Sequence, residues 1–143
     1  MSDASHFPVN PRTGLRRAAV AFLVAEGLGV LAWWTWLLGW PAAREAFRAT
    51  DSTDATLLAF AAADGLLVLV GAFVAAYGLA RARRWAFAAL CVHAGAVVYA
   101  ALYAVLLWVL DRHAWMGALL MAPSLVAVPG FAWRLRPRGA PPC

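Results

Sequence analysis

The chain has 143 residues, of which 64% are hydrophobic and only 13% are charged, whereas about a quarter of the residues in an average soluble domain are charged. This composition excludes an ordinary soluble domain. The formal net charge of +5 comes from twelve arginines, and because these are not interleaved with base-stacking aromatic residues, we expect no nucleic-acid partner.

Four apolar runs along the chain predict four membrane-spanning helices. Each run reaches the roughly 20 residues that a hydrocarbon core about 30 Å thick requires, and none alternates as a membrane β-strand does. We therefore predict an all-α integral membrane protein built as a four-transmembrane-helix bundle. The expected parts are an N-terminal arm at 1–17, a transmembrane domain at 18–134 with spans at about 18–40, 56–80, 85–110 and 114–133, and a tail at 135–143.

The arginines are distributed unequally between the two ends of these spans. Nine lie before the first span, between the second and third, and after the fourth, whereas three lie elsewhere. Cytoplasmic loops retain positive charge, so we expect both termini to be cytoplasmic. Since the sequence carries no organelle signal, we expect a bacterial inner membrane. The nine are Arg12, Arg16, Arg17, Arg81, Arg83, Arg84, Arg134, Arg136 and Arg138, and the three are Arg44, Arg48 and Arg112.

The connections between the spans differ in length. The first one begins with "PAAREAF" at 41–47, whose apolar residues recur at helical spacing and predict a short helix at the membrane surface. Thr53 or Asp54 is the expected N-cap of the second span. The tight turn "RARR" makes the second and third spans antiparallel neighbours. Cys91 falls within the third span and Cys143 ends the chain, so we expect no disulfide between them.

Depth along the helices sorts the polar residues of the spans into two layers. Glu26 and His93 lie equally far inside the inner boundary, about 12 Å at 1.5 Å per residue, and we predict that Glu26 faces the interior within direct or water-mediated hydrogen-bond reach of His93. Asp64, Tyr103 and Ser124 share a layer nearer the outer face. The inner pair either fixes helix register or forms a proton-exchanging or cation-binding site, and both interpretations stay open.

Aromatic residues near the outer layer predict a pocket wall. Tyr99 and Tyr103 lie one helical turn apart, and together with Trp33 or Trp36 they could enclose a flat or cationic ligand; aromatic packing is the alternative. One histidine with two carboxylates at different depths does not form a tetrahedral ligand set, so we expect no metal. We expect no cofactor and no catalytic residue, since the sequence contains no motif for either.

The stretch "AEGLGV" at 25–30 resembles the first helix of the small multidrug-resistance exporters, in which an essential glutamate is followed by a glycine three positions later. Glu26 and Gly29 occupy these positions. The third span lacks the aromatic and glycine motif of that family, and the first external loop is longer. The resemblance implies that proton-coupled export of a cation is an available mechanism, and it covers no other part of the chain.

These observations predict a membrane protein with an intramembrane polar site that binds or moves a small cationic or lipophilic ligand. One alternative is an accessory or assembly subunit of a larger membrane complex, and another is a membrane enzyme acting on a lipid-like substrate. The expected partners are membrane lipids and either further copies of the chain or a larger complex. The predicted site consists of Glu26, His93, Asp64, Tyr99, Tyr103, Trp33, Trp36 and Ser124.

Overall fold

A computed structural model describes residues 11–48, 53–112 and 115–137. Apart from short turns, these ranges are helical and contain no strand, which confirms the predicted all-α class. The elements are α1 (Pro11–Gly39), a 3₁₀-helix (Pro41–Phe47), α2 (Asp54–Ala63), a π-helical stretch (Asp64–Val70), α3 (Gly71–Ala80), α4 (Ala86–Asp111) and α5 (Trp115–Leu135).

Four helices within the described ranges are long and apolar enough to cross a membrane. They are Arg12–Gly39, Asp54–Ala80, Ala86–Leu110 and Trp115–Leu135, and they agree closely with the predicted spans. The second is continuous through α2, the π-helical stretch and α3. Helix α1 begins at Pro11, inside the predicted arm, and proline is favoured at a first helical position. The four helices indicate a membrane protein, whereas the orientation of the termini and the division into arm, domain and tail stay predictions.

The described first part of the connection between the first two spans is helical, as predicted, and it folds back onto the end of α1. Phe47, at its C-terminal end, is only 6% exposed, and its ring contacts the rings of Trp33 and Trp36 at centroid distances of 4.1 and 6.0 Å. A helix of seven residues has little surface of its own to bury, so this aromatic contact is one of the interactions that fix its position. The segment is therefore part of the bundle.

Ion pairs join the 3₁₀-helix to the start of α2. Arg44 donates to Asp54 Oδ2 at 3.0 Å and Arg48 donates to Asp54 Oδ1 at 2.9 Å. Arg44 also donates to the carbonyl oxygens of Leu37 and Leu38 at the end of α1, which satisfies two acceptors that a helix terminus leaves open. Thr53 holds the predicted N-cap position without a capping side-chain bond.

The turn between α3 and α4 is tight, as predicted, and a glycine makes this possible. A Cβ placed on Gly78 would lie 2.6 Å from the Trp85 ring and 3.1 Å from the Ala86 backbone, so a larger residue would force the two helices apart. Cys91 of α4 is not a free thiol. This goes against the expectation that Cys91 forms no disulfide with Cys143, and Cys143 itself lies outside the described residues.

The bundle is packed differently at its two ends. A cluster of mostly small buried residues from α1, α3, α4 and α5 fills the end near the α3 to α4 turn, where alanines allow close approach of the backbones. At the other end, a smaller cluster forms around Trp34, Leu37 and Phe47. The first cluster consists of Ala19, Leu23, Ala75, Ala76, Leu79, Ala86, Leu90, Ala94, Val128 and Ala132. We call these two ends the packed end and the open end.

Candidate functional site

A cavity of about 500 Å³ lies between the helices, from the middle of the bundle to the open end. Its walls come from α1, the 3₁₀-helix, α2, the π-helical stretch, α4 and α5. The volume falls within the roughly 300–1,000 Å³ of small-molecule sites. Six of the eight predicted site residues line it, namely Glu26, Trp33, Asp64, Tyr99, Tyr103 and Ser124.

The predicted contact between Glu26 and His93 is present at the deep end of the cavity. His93 Nε2 lies 2.8 Å from Glu26 Oε2, and the exposed fractions of the two side chains are 0% and 5%. Glu26 lines the cavity, whereas His93 does not, because it lies behind the carboxylate. Which of the two atoms donates in this contact depends on the tautomer of the imidazole.

Each member of the pair also has a polar atom without a hydrogen bond. Glu26 Oε1 and His93 Nδ1 are buried and have no partner among the described residues. His93 Nδ1 faces α3, where a Cβ on Gly71 would lie 3.1 Å from it. The absence of a side chain at Gly71 therefore makes room for the imidazole. A buried polar group without a partner costs about 1–3 kcal/mol of stability. These two atoms therefore lower the free energy of unfolding.

The packing around α1 holds the carboxylate from a second direction. A Cβ on Gly27 would lie 2.9 Å from the ring of Phe73 on α3, so the ring rests directly on the α1 backbone next to Glu26. Gly71 and Phe73 are two residues apart on the same helix. Helices α1, α3 and α4 thus fix the pair together, and the contact joins residues far apart in the sequence.

Asp64 forms the second polar position of the cavity wall. It is the first residue of the π-helical stretch, and its Oδ2 accepts a hydrogen bond from Trp34 Nε1 at 3.3 Å. Trp34 is buried, and a buried indole N–H normally requires an acceptor. Trp34 also lines the cavity and was not among the predicted site residues, although an acidic residue in the outer layer next to a tryptophan-rich helix indicates such a contact.

Aromatic rings cover the cavity towards the open end. The Phe60 ring on α2 contacts the Tyr103 ring on α4 at a centroid distance of 4.6 Å, and Tyr99, which is 70% exposed, lies at the edge of the cavity. Of the two alternatives Trp33 and Trp36, Trp33 lines the cavity and Trp36 does not. The Trp36 ring is exposed and contacts Phe47, and Phe47 itself lines the cavity.

The charges along the cavity wall are mostly negative. Glu26 and Asp64 are the acidic residues of the wall, and Arg48 is its basic residue. The Arg48 guanidinium is bound to Asp54 at 2.9 Å, so its charge is already matched outside the cavity. Within the described ranges, no group of three possible metal ligands occurs. Aromatic faces and carboxylates both attract cations, and this wall contains both kinds of group.

Comparison with protein-family models, curated proteins and solved structures found no match for this chain. The four apolar helices define the class of molecule, a helical membrane protein, and a cavity lies between them.

Proposed function

We propose that this protein binds a small lipophilic cation in the cavity between its helices and moves it in exchange for protons. The observation that carries the proposal is the position of Glu26. One of its oxygens contacts His93 and the other, buried at the cavity wall, has no hydrogen-bond partner among the described residues. That second oxygen is the atom that a positively charged group of the ligand would contact.

The surroundings of Glu26 support an organic cation over a neutral ligand. A carboxylate in a protein interior of low dielectric interacts far more strongly with a nearby charge than it would in water. The Trp33 and Tyr103 rings of the wall add faces that attract cations, and each such contact contributes about 0.5–2 kcal/mol. The rest of the wall is largely apolar, which favours a ligand with a hydrophobic body.

The pair with His93 connects binding to protons. A cation and a proton compete for the Glu26 carboxylate. Binding of either one therefore lowers the affinity for the other. The charged or titratable groups around this position are His93 on α4 and Asp64 on the π-helical stretch, whereas α3 contributes Gly71 and Phe73. We expect the affinity for a permanent cation to fall as the pH is lowered.

The binding test uses the purified protein in lipid nanodiscs and tetraphenylphosphonium as the probe, with empty nanodiscs as the reference for partitioning into lipid. Glu26→Gln keeps the shape and hydrogen bonding of the side chain but removes its charge. We expect it to weaken binding about tenfold or more, because two opposite charges about 4 Å apart attract each other by about 1 kcal/mol in water and about 4 kcal/mol near a protein surface. Equilibrium dialysis measures the affinity.

Glu45→Gln is the matched control. Glu45 is an exposed carboxylate on the 3₁₀-helix and does not line the cavity, so this change removes the same charge from a different place. We expect the Glu45 variant to bind as the wild type does. Equal binding by a folded Glu26 variant and the wild type would contradict the proposal.

The movement of the cation is tested in proteoliposomes. An imposed pH gradient should drive accumulation of tetraphenylphosphonium with the wild type and not with the Glu26→Gln variant. The accessory-subunit alternative is examined by mild detergent extraction and native mass spectrometry. We expect a monomer or a small homo-oligomer, whereas stoichiometric foreign chains would favour the subunit.

A further inference from the structure

The cavity contains two carboxylates at different depths. Glu26 and Gly71 lie at the same depth in the bundle, because the His93 side chain contacts the Glu26 carboxylate and packs directly against this glycine. Asp64 precedes Gly71 by seven residues on the same continuous helix, so its backbone lies about 10 Å from the level of Gly71 along the helix axis at 1.5 Å per residue. Both residues line the same cavity, so a single ligand can reach both.

Among the described residues, no ion pair joins an arginine to Glu26 or to Asp64. Arg44 and Arg48, which lie near the open end, both pair with Asp54. Glu26 contacts the imidazole through one oxygen and leaves the other, in a side chain only 5% exposed, without a partner. Asp64 receives the indole N–H of Trp34, which is a neutral donor. A ligand with one positive charge would leave one of the two carboxylates without a counter-charge.

The wall between the two carboxylates is suited to an apolar linker. Helix α4 contributes Tyr99 and Tyr103 and helix α1 contributes Trp33, and aromatic rings of this kind pack well against apolar groups. An alkyl or aromatic chain that crosses this region would be removed from water and lipid headgroups, while its two ends would meet opposite charges.

We propose that the ligand of this cavity is an organic dication whose two positive charges are separated by about 10 Å of apolar linker. One charge binds at the Glu26 carboxylate and the other at Asp64. This inference rests on the proposed function, since it specifies the class of cation that the same cavity accepts. Joining two weakly bound cationic groups by a linker of the right length raises the affinity without any additional contact.

The test is a displacement experiment in nanodiscs with tetraphenylphosphonium as the displaced probe. The competitors are bis(trimethylammonium) alkanes with ethane, hexane, octane and dodecane linkers, and the reference is hexyltrimethylammonium, which has one charge. We expect the hexane and octane compounds to displace the probe at concentrations at least about tenfold lower than the reference does. The ethane compound, which is too short to reach both carboxylates, should show no such advantage.

Two variants test whether Asp64 binds the second positive charge of the ligand. The ratio of dication affinity to monocation affinity should fall to near one in Asp64→Asn and stay at its wild-type value in the Glu45→Gln control. A ratio that stays high in a folded Asp64→Asn variant would overturn the assignment to Asp64. If that variant does not fold, the dependence on linker length in the wild type still decides the proposal.

The possible failures are distinguishable. If tetraphenylphosphonium does not bind the wild type at all, the proposed function itself is wrong. If it binds but no linker length gives the dication an advantage, the cavity accepts a monocation, and the inference about two charges is overturned while the proposed function stands.

Discussion

His93→Leu tests whether the contact with Glu26 stabilises the fold. Leucine is apolar and lacks both ring nitrogens, so the buried Glu26 side chain loses its hydrogen-bond partner at 2.8 Å. Both carboxylate oxygens are then buried without a partner, since Oε1 already has none among the described residues. We expect the variant to be clearly less stable than the wild type.

The size of the effect follows from what remains buried. Removing one partner of a buried ion pair costs about 3–5 kcal/mol if the remaining group keeps its charge, and about 1–3 kcal/mol if the carboxyl takes up a proton and remains a buried polar group without a hydrogen bond. Because Glu26 borders the cavity, water in the cavity can reach the carboxyl group and reduce this cost. We therefore expect a loss of about 2–3 kcal/mol in the free energy of unfolding.

Equilibrium unfolding in mixed micelles measures this loss, with helical circular dichroism as the signal. A double-mutant cycle with Glu26→Leu then isolates the contact. We expect the two residues to be coupled by about 1.5–3 kcal/mol, more than the average of about 0.6 kcal/mol for interhelical hydrogen bonds in membranes. A coupling energy below about 0.5 kcal/mol would show that the pair adds nothing to stability beyond its separate side chains, and would refute this reasoning.

Three further predictions concern the glycine, the indole and the topology. Gly71→Ala places a Cβ 3.1 Å from the imidazole, whereas Gly95→Ala meets nothing within 4 Å; the first should weaken tetraphenylphosphonium binding and the second should not, as measured by dialysis. Trp34→Phe keeps a ring but removes the donor to the outer carboxylate, and it should lower the free energy of unfolding by about 1 kcal/mol in the same micelle assay. In intact cells, an impermeant thiol reagent should label Thr53→Cys and not Arg83→Cys; labelling of both would contradict the predicted orientation.

The spans and the deep pair could be predicted because both depend on simple quantities. Span lengths follow from the length of apolar runs and the thickness of the bilayer. The contact of Glu26 with His93 followed from equal depth, since two polar groups at one level of a small bundle have few other partners. The role of this contact in binding could not be predicted in the same way, and it is a proposal here.

The outer part of the site was harder to predict because its side chains are long. The Trp34 Cα is eight residues beyond Glu26 on α1, about 12 Å by helical rise, but helical side chains lean towards the N-terminus, so the indole meets Asp64 at a deeper level. Depth counted from backbone positions misses such a contact. Phe47 was missed for another reason, since periodicity predicts a helix but not the direction in which a short one folds back.

The π-helical stretch Asp64–Val70 is a point at which the second span could rotate about its own axis. Its hydrogen bonds run to the fifth residue instead of the fourth, and such stretches occur mostly as short interruptions of α-helices, frequently at functional sites. Winding this segment into an α-helix would turn α2, with Asp64 at its junction, about the helix axis while α3 stays against His93. The two carboxylates could then change their relative direction without any loop having to move, so that a rotation within one helix would switch the cavity between two shapes.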